Sequence, residues 1–142
     1  MEKGDIDNGM GSRILVVAQP LILTMTPRDM RKAEFYRLTG QWKRWVQCWS
    51  WDSWSVIKMR DMCWRLSLNV TLAAFVPHQR CEKHLRDAAD ARHIGCKVET
   101  YESPAHLARQ IAFMPEVIYI VSNDPVNRYI YGSRTIRSLA DV

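Results

Sequence analysis

Apolar residues in this chain fall into two patterns: short, nearly unbroken runs, and longer stretches in which they recur at helical spacing. Nearly unbroken runs suit strands buried on both faces, as at the centre of a parallel sheet. Arg13–Ala18, Asn69–Val76 and Glu116–Val121 are three such runs, with Lys97–Tyr101 as a shorter strand. The first ends at Gln19-Pro20 and the second at Pro77, where proline removes a ladder donor. The stretches between read as helices with recognisable starts and stops. Thr26-Pro27 opens one that runs to about Leu38 and stops at Thr39-Gly40, with Pro at the first helical position. Asp52 or Ser53 caps another through about Leu66, with Trp54, Ile57, Met62 and Trp64 among its apolar positions. A third, over 79–94, turns Leu85, Ala88, Ala89 and Ile94 inward and ends at Gly95, a suitable C-cap. Ser103-Pro104 opens a helix to about Phe113, and Asn123-Asp124-Pro125 starts a short one that stops near Gly132. Arg134–Arg137 is a last, edge strand, while the alternation in Trp45–Trp51 predicts a strand or hairpin arm with Trp45, Trp49 and Trp51 on one side.

Strand and helix alternate regularly from residue 55 onward. That rhythm predicts an α/β fold of three layers: a mostly parallel, Rossmann-like sheet with helices on both faces and right-handed crossovers. Nothing interrupts 13–142 as a linker or repeat would, so this span is expected to form one domain. Met1–Ser12, polar and Gly-rich, is expected to be a flexible tail and lacks the apolar core of a signal peptide.

Composition narrows the class without naming a function. A chain of 142 residues with 47% apolar and 25% charged side chains is globular rather than disordered. Its apolar runs fall far short of the ~18 residues of a membrane span. The formal charge of +5 is spread along the chain, which reads first as a solvated surface and second as a nucleic-acid or acidic-partner face. Cys48, Cys63, Cys81 and Cys96 show no CxxC pairing, and without a secretion signal they are expected to be reduced thiols in a cytoplasmic protein.

In open parallel sheets ligands bind beyond the carboxyl ends of the strands, where strand order reverses. The residues delivered there are Ala18-Gln19-Pro20, Pro77-His78, Glu102-Ser103 and Ser122-Asn123-Asp124. The order of elements, with an insert after the first strand, resembles the core of the haloacid-dehalogenase (HAD) superfamily; reduced versions of it resemble small proteins of tailed phages. The resemblance implies a nucleophilic Asp and a second Asp after the first strand, a hydroxyl after the second, a Lys before a later helix, and acidic residues after the fourth. This chain places Ala18, Pro20, Pro77 or His78, and Ser103-Pro104 at the first four of these positions. Only Tyr119-Ile-Val-Ser-Asn-Asp-Pro125, followed by Gly132, is similar to the family's magnesium-binding loop. Covalent phosphoryl transfer needs a nucleophile and a metal clamp, usually of two or more acidic ligands. With Asp124 alone clearly at the crevice and Glu102 a neighbour at best, a non-catalytic relative is expected, with no cofactor.

Other constellations compete. His78, Cys81 and His84 form HxxCxxH, and His93 and Cys96 repeat HxxC. Imidazole and thiolate suit zinc, but side chains six residues apart on a helix lie about 600° around its axis, and His93 lies on the order of 20 Å further along. Cys81 with His78 or His84 has the spacing of a nucleophile and its base, without a readable third group. There is no GxGxxG or phosphate loop. Five of the six tryptophans fall between Trp42 and Trp54. They are either core and hairpin packing or an aromatic-basic surface, Trp42-Lys43-Arg44-Trp45 with Trp49, Trp51 and Trp54, suited to protein contacts and less well to single-stranded bases.

The sequence therefore leads to a non-enzymatic HAD-like domain, a pseudoenzyme binding a protein partner. The candidate residues are Gln19, His78, Ser122, Asn123, Asp124, Trp42, Trp45, Trp49 and Trp51. The alternatives are a magnesium-dependent phosphoesterase using Asp124 as a catalytic residue in a rearranged site, and a nucleic-acid binder with a Trp/Arg face; no membrane role is expected.

Overall fold

The computed structural model describes residues 12–66, 69–124, 128–132, 134–136 and 139–141. Five parallel strands form one sheet: β1 (Arg13–Val17), β4 (Asn69–Phe75), β5 (Lys97–Tyr101), β6 (Val117–Val121) and β7 (Thr135–Ile136). Their spatial order is β5-β4-β1-β6-β7, with β1 at the centre. Ile14 pairs with Val70 on one side and Tyr119 on the other. Two further short strands, β2 (Leu23–Thr24) and β3 (Ser50–Trp51), pair antiparallel outside the sheet.

Alternation along β1 divides the interior into two cores. Ile14 and Val16 join Val70, Leu72, Ala74 and Val98 in a cluster covered by α3 (Ser53–Leu66) and α4 (Cys81–Ala91), which contribute Met59, Met62, Leu85 and Ala89. Leu15 and Val17 point the other way, onto Ala73, Val117 and Ile120, beneath α5 (Pro104–Ile111) and α6 (Arg128–Tyr131). The expected α/β sheet with helices on both faces is therefore present. The connection between β1 and α3 holds a kinked turn at Ala18–Leu21, α1 (Pro27–Leu38) and α2 (Trp42–Gln47).

The helix starts follow the sequence closely. The Thr26 hydroxyl accepts from the Asp29 N–H at 3.1 Å, Ser103 accepts from His106 at 3.2 Å, and the Asp52 carboxylate accepts from Ser55 at 2.9 Å. Pro27 and Pro104 occupy the first turns, as expected. The Ser55 backbone N–H first, and its side-chain hydroxyl second, hold the Asp52 carboxyl below its ordinary range.

Two expectations fail. Trp45–Trp51 is not a strand: Trp42–Gln47 is helical and only Ser50–Trp51 is extended. Trp42, Trp45, Val46 and Trp49 recur at i, i+3, i+4 and i+7, the helical spacing that the local alternation masked. Nor does Gly95 end α4, which stops at Ala91 rather than 94. The left-handed residue is His93, with φ 58°. Its N–H bonds to the Asp90 carbonyl at 3.0 Å and that of Ile94 to Ala89 at 3.1 Å, a Schellman motif. The same motif closes α1, with Gly40 at φ +69° in the equivalent place. Of the expected inward residues of α4, Leu85, Ala89 and Ile94 are buried and Ala88 is half-buried. The N-terminal tail to residue 11, Pro125 and Arg137 lie outside the described residues.

Sequence patterning also gives no hint of the clamp under the sheet. Arg13, with 12% of its side chain exposed, donates to Glu99 at 3.0 Å, Glu116 at 3.1 Å and the Thr71 hydroxyl at 3.3 Å. The Tyr101 hydroxyl donates to the second Glu99 oxygen at 2.8 Å; burial first, and that carboxylate second, hold its phenol above the ordinary range. One cation thus ties β1 to β4, β5 and the approach to β6.

Arg13→Ala leaves two partly buried carboxylates without their cation. It is expected to cost about 2–3 kcal/mol, below a fully buried pair because both glutamates touch solvent, read as a lower urea midpoint at unchanged slope. His93→Gly should raise stability by about 0.5–1 kcal/mol by relieving the left-handed backbone, read as a higher midpoint.

Candidate functional site

Strand order runs outward from β1 through β4 to β5, then returns to β6, so the switch point lies between β1 and β6. Ala18, at the position the HAD resemblance gives to a nucleophile, is a methyl with no solvent exposure. Gln19 follows, joined to Pro20 by a cis bond. Its carboxamide is engaged at both ends: it donates to the Phe75 carbonyl and accepts from the Phe75 N–H, each at 2.9 Å. Pro20 has no N–H to extend pairing with β4, and the Gln19 side chain supplies the missing rung.

On the far side of the switch point Ser122 is buried, and its hydroxyl accepts weakly from the Asp124 N–H at 3.4 Å. Asn123 is exposed and Asp124 half-buried. The Tyr131 hydroxyl is buried there without a hydrogen-bond partner among the described residues, and burial first, the Asp124 charge second, keep its phenol protonated well above the usual range. At the end of β4, exposed His78 accepts from the Arg80 N–H through Nδ1 at 3.0 Å. The Trp42 ring stacks on it, centroids 5.0 Å apart and planes 18° from parallel. Ser103 is occupied as the cap of α5, beside an exposed Glu102. Among the described residues no three His, Cys, Asp or Glu side chains converge as a metal site would require.

HxxCxxH is likewise dispersed. Cys81 lies in the core, its thiol pushed up to about 11 by burial, which suppresses the nucleophilic thiolate. His84 lines a groove between α2 and α4, and His93 serves the end of α4.

The aromatic residues divide unexpectedly. Trp45 is buried and meets Trp49 edge to face at 5.9 Å, whereas Trp42, Trp49 and Trp51 are half-buried. The Arg92 guanidinium lies 4.8 Å from the Trp51 ring centroid, a cation–π distance. Two grooves meet at this pair. One, of about 400 Å³, separates α2 from α4 and is lined by Lys43, Trp49, His84 and Asp87. The other, of about 480 Å³, runs along α3 past Val56, Ile57 and Arg60. Arg60 donates twice to the Arg92 carbonyl, at 3.1 and 2.8 Å, fixing α3 beside the end of α4.

A group of exposed large apolar residues lies on α3: Trp54, which the sequence placed on the aromatic-basic surface, and Ile57 and Trp64, which it counted only among the apolar positions of the helix. Trp54, Ile57 and Trp64 on α3 are 49%, 57% and 86% exposed. They share the helix face opposite Val56, Met59 and Met62, which are buried. The signal was present as spacing: one α3 register buries 56, 59 and 62, and it necessarily turns 54, 57 and 64 outward. Comparison with family models, curated proteins and solved structures finds no match for this chain. Among the described residues no helix is long and apolar enough to cross a membrane.

Gln19→Ala strips both partners from Phe75 and is expected to cost about 1–3 kcal/mol. Gln19→Glu retains the acceptor and loses the donor. Its protonated form restores both, so the folded-state pKa of the new carboxyl is raised. The stability it contributes is then present below pH ~4.3 and lost as pH rises through the folded value; chemical denaturation across pH should show the deficit against wild type narrowing in acid.

Proposed function

We propose that this chain is a non-catalytic HAD-like α/β domain that binds a protein partner, specifically an acidic amphipathic segment, on the outer face of α3 and the groove beside it. The observation that carries the reading is the row Trp54, Ile57 and Trp64, held in solvent by a helix whose other face is locked into the core. Large apolar residues aligned on one rigid face are what an amphipathic segment packs against. The rim is basic: Lys58 lies 5.4 Å over the Trp54 ring, Arg60 and Arg92 border the groove, and the nearby Asp61 is engaged by Arg65 at 3.4 Å. A partner with acidic residues around its apolar ones matches both features.

Support for the HAD-like part comes from strand order and from the helical insert that leaves β1 and returns through the β2–β3 pair. Support for the non-catalytic part comes from Ala18 and from a Gln19 carboxamide already committed to Phe75. A phosphodiester partner fits less well, because Arg60 and Arg92 direct donors to the helix-end carbonyls of Arg92 and Ala88.

A fluorescein-labelled helical peptide with Leu/Phe on one face and Glu on its flanks is the direct probe. Micromolar binding by anisotropy is expected, weakened about tenfold by Trp64→Ala, an exposed position whose loss leaves the fold intact. Tighter binding of a single-stranded oligonucleotide, with a steep salt dependence, would instead make this a nucleic-acid face. Magnesium-dependent turnover of a phosphate ester, lost in Asp124→Asn, would overturn the non-catalytic reading.

A further inference from the structure

We propose that the groove between α2 and α4 binds a free nucleoside 5′-monophosphate. The base stacks at Trp51 and Arg92, the ribose hydroxyls donate to Asp87, and the phosphate meets Lys43 and His84. What the outer face of α3 binds has no bearing on this, because a different groove is involved.

The contacts around the groove give it a direction. Trp42, at the start of α2, stacks on His78, just ahead of α4. Trp51, shortly after α2 ends at Gln47, meets Arg92, immediately past the end of α4 at Ala91. The two helices therefore run side by side in the same sense. Lys43 and His84, both in the first turns of their helices, mark one end of the groove. Trp51 and Arg92 mark the other end, and Asp87 lies between. From His84 to Arg92 the helix rises about 12 Å, the length of an extended nucleoside monophosphate. A volume of about 400 Å³ is also that of a small-molecule site.

Each part of the groove suits one part of such a ligand. At the aromatic end the Arg92 guanidinium lies 4.8 Å from the Trp51 centroid, and it donates to the Ala88 carbonyl at 2.9 Å. An indole and a planar guanidinium held in place both stack on bases. Trp49 beside them has an indole N–H that is buried with no acceptor among the described residues. Buried donors are seldom left so, and a base carries acceptors of the kind it lacks. Further along, the side chains of Asp87, Lys43 and His84 engage no partner among the described residues. A carboxylate accepts from a pair of neighbouring hydroxyls, and an ammonium and an imidazole donate to phosphate oxygens. An uncharged aromatic ligand would leave all three groups unused, and an anion without hydroxyls would meet the Asp87 charge uncompensated.

Calorimetric titration of the full chain with AMP is the test, and a Kd of about 10–100 μM is expected. Adenosine, ribose 5-phosphate and 2′,3′-dideoxy-AMP each lack one contact and should bind about tenfold more weakly. Lys43→Ala should weaken AMP about tenfold and leave adenosine unchanged. Asp87→Ala should weaken AMP and leave the dideoxy analogue unchanged. Both positions are exposed, so neither change disturbs the core. Lys83→Ala removes the same charge from α4 outside the groove and should leave AMP binding as it is. Absence of binding at millimolar AMP overturns the proposal. So does equal loss in Lys83→Ala and Lys43→Ala, or an affinity for inorganic phosphate that matches that for AMP. Tighter binding of a 5′-phosphorylated oligonucleotide, falling steeply with salt, overturns it as well, because the groove would then serve a nucleic acid.

Discussion

The burial of β1 on both faces and along both edges constrains everything else in this fold. A strand between β4 and β6 and between two helical layers can carry only apolar side chains along its length. Ile14 to Val17 obey that rule, and the rule persists one residue past the strand, where Ala18 has no exposure. A carboxylate at Ala18 would sit in the same sealed place and would have to be compensated by a cation or a metal, since an isolated buried charge is strongly disfavoured. The methyl is the residue this packing tolerates without such help. At the other end of the strand the rule is broken once, by Arg13, and compensation is visible in Glu99 and Glu116.

The contacts at the end of β1 follow from the same region. Proline at position 20 ends the backbone pairing of β1 with β4, and a strand ending of that kind would ordinarily open a polar cleft. Gln19 instead carries the pairing on to Phe75, since a carboxamide offers a donor and an acceptor in the pattern of a peptide group. The stack of Trp42 on His78 places the insert over the end of β4. Both contacts use side chains that sequence reading marks as crevice ligands, and the geometry gives them work within the protein.

Legibility in the sequence followed the range of the interaction concerned. Strands buried on both faces and caps made within a few residues, such as Thr26 to Asp29 and Ser103 to His106, were readable because the determinant is local. The helix at Trp42–Gln47 was not, because its pattern is short and period two competes with period 3.6 over so few residues. The end of α4 was missed for a different reason: Gly95 is the better left-handed residue, yet the main-chain bonds to Ala89 and Asp90 place that conformation at His93. Arg13 and Gln19 depend on partners tens of residues away, and no local spacing encodes them. At the candidate site the sequence located the loops at the strand ends, while their hydrogen bonds, which decide what those loops can do, came only with the fold.

The tryptophans show how one composition serves two physical ends. Trp45 and Trp49 pack edge to face beside α4, where burial of their area contributes to stability. Trp64 contributes almost nothing of that kind, since most of its ring is in water. An exposed aromatic at a single position is unremarkable on any protein surface. Three large apolar residues on one helix face, with cations along one rim and a groove at their foot, are less ordinary. α3 therefore carries large apolar residues on two opposite sides: Val56, Met59 and Met62 hold it to the sheet, and that attachment fixes the backbone from which Trp54, Ile57 and Trp64 project. The burial that fixes β1 and α3 thus also fixes the backbone beneath this outer face, so a partner docking there would not have to order it.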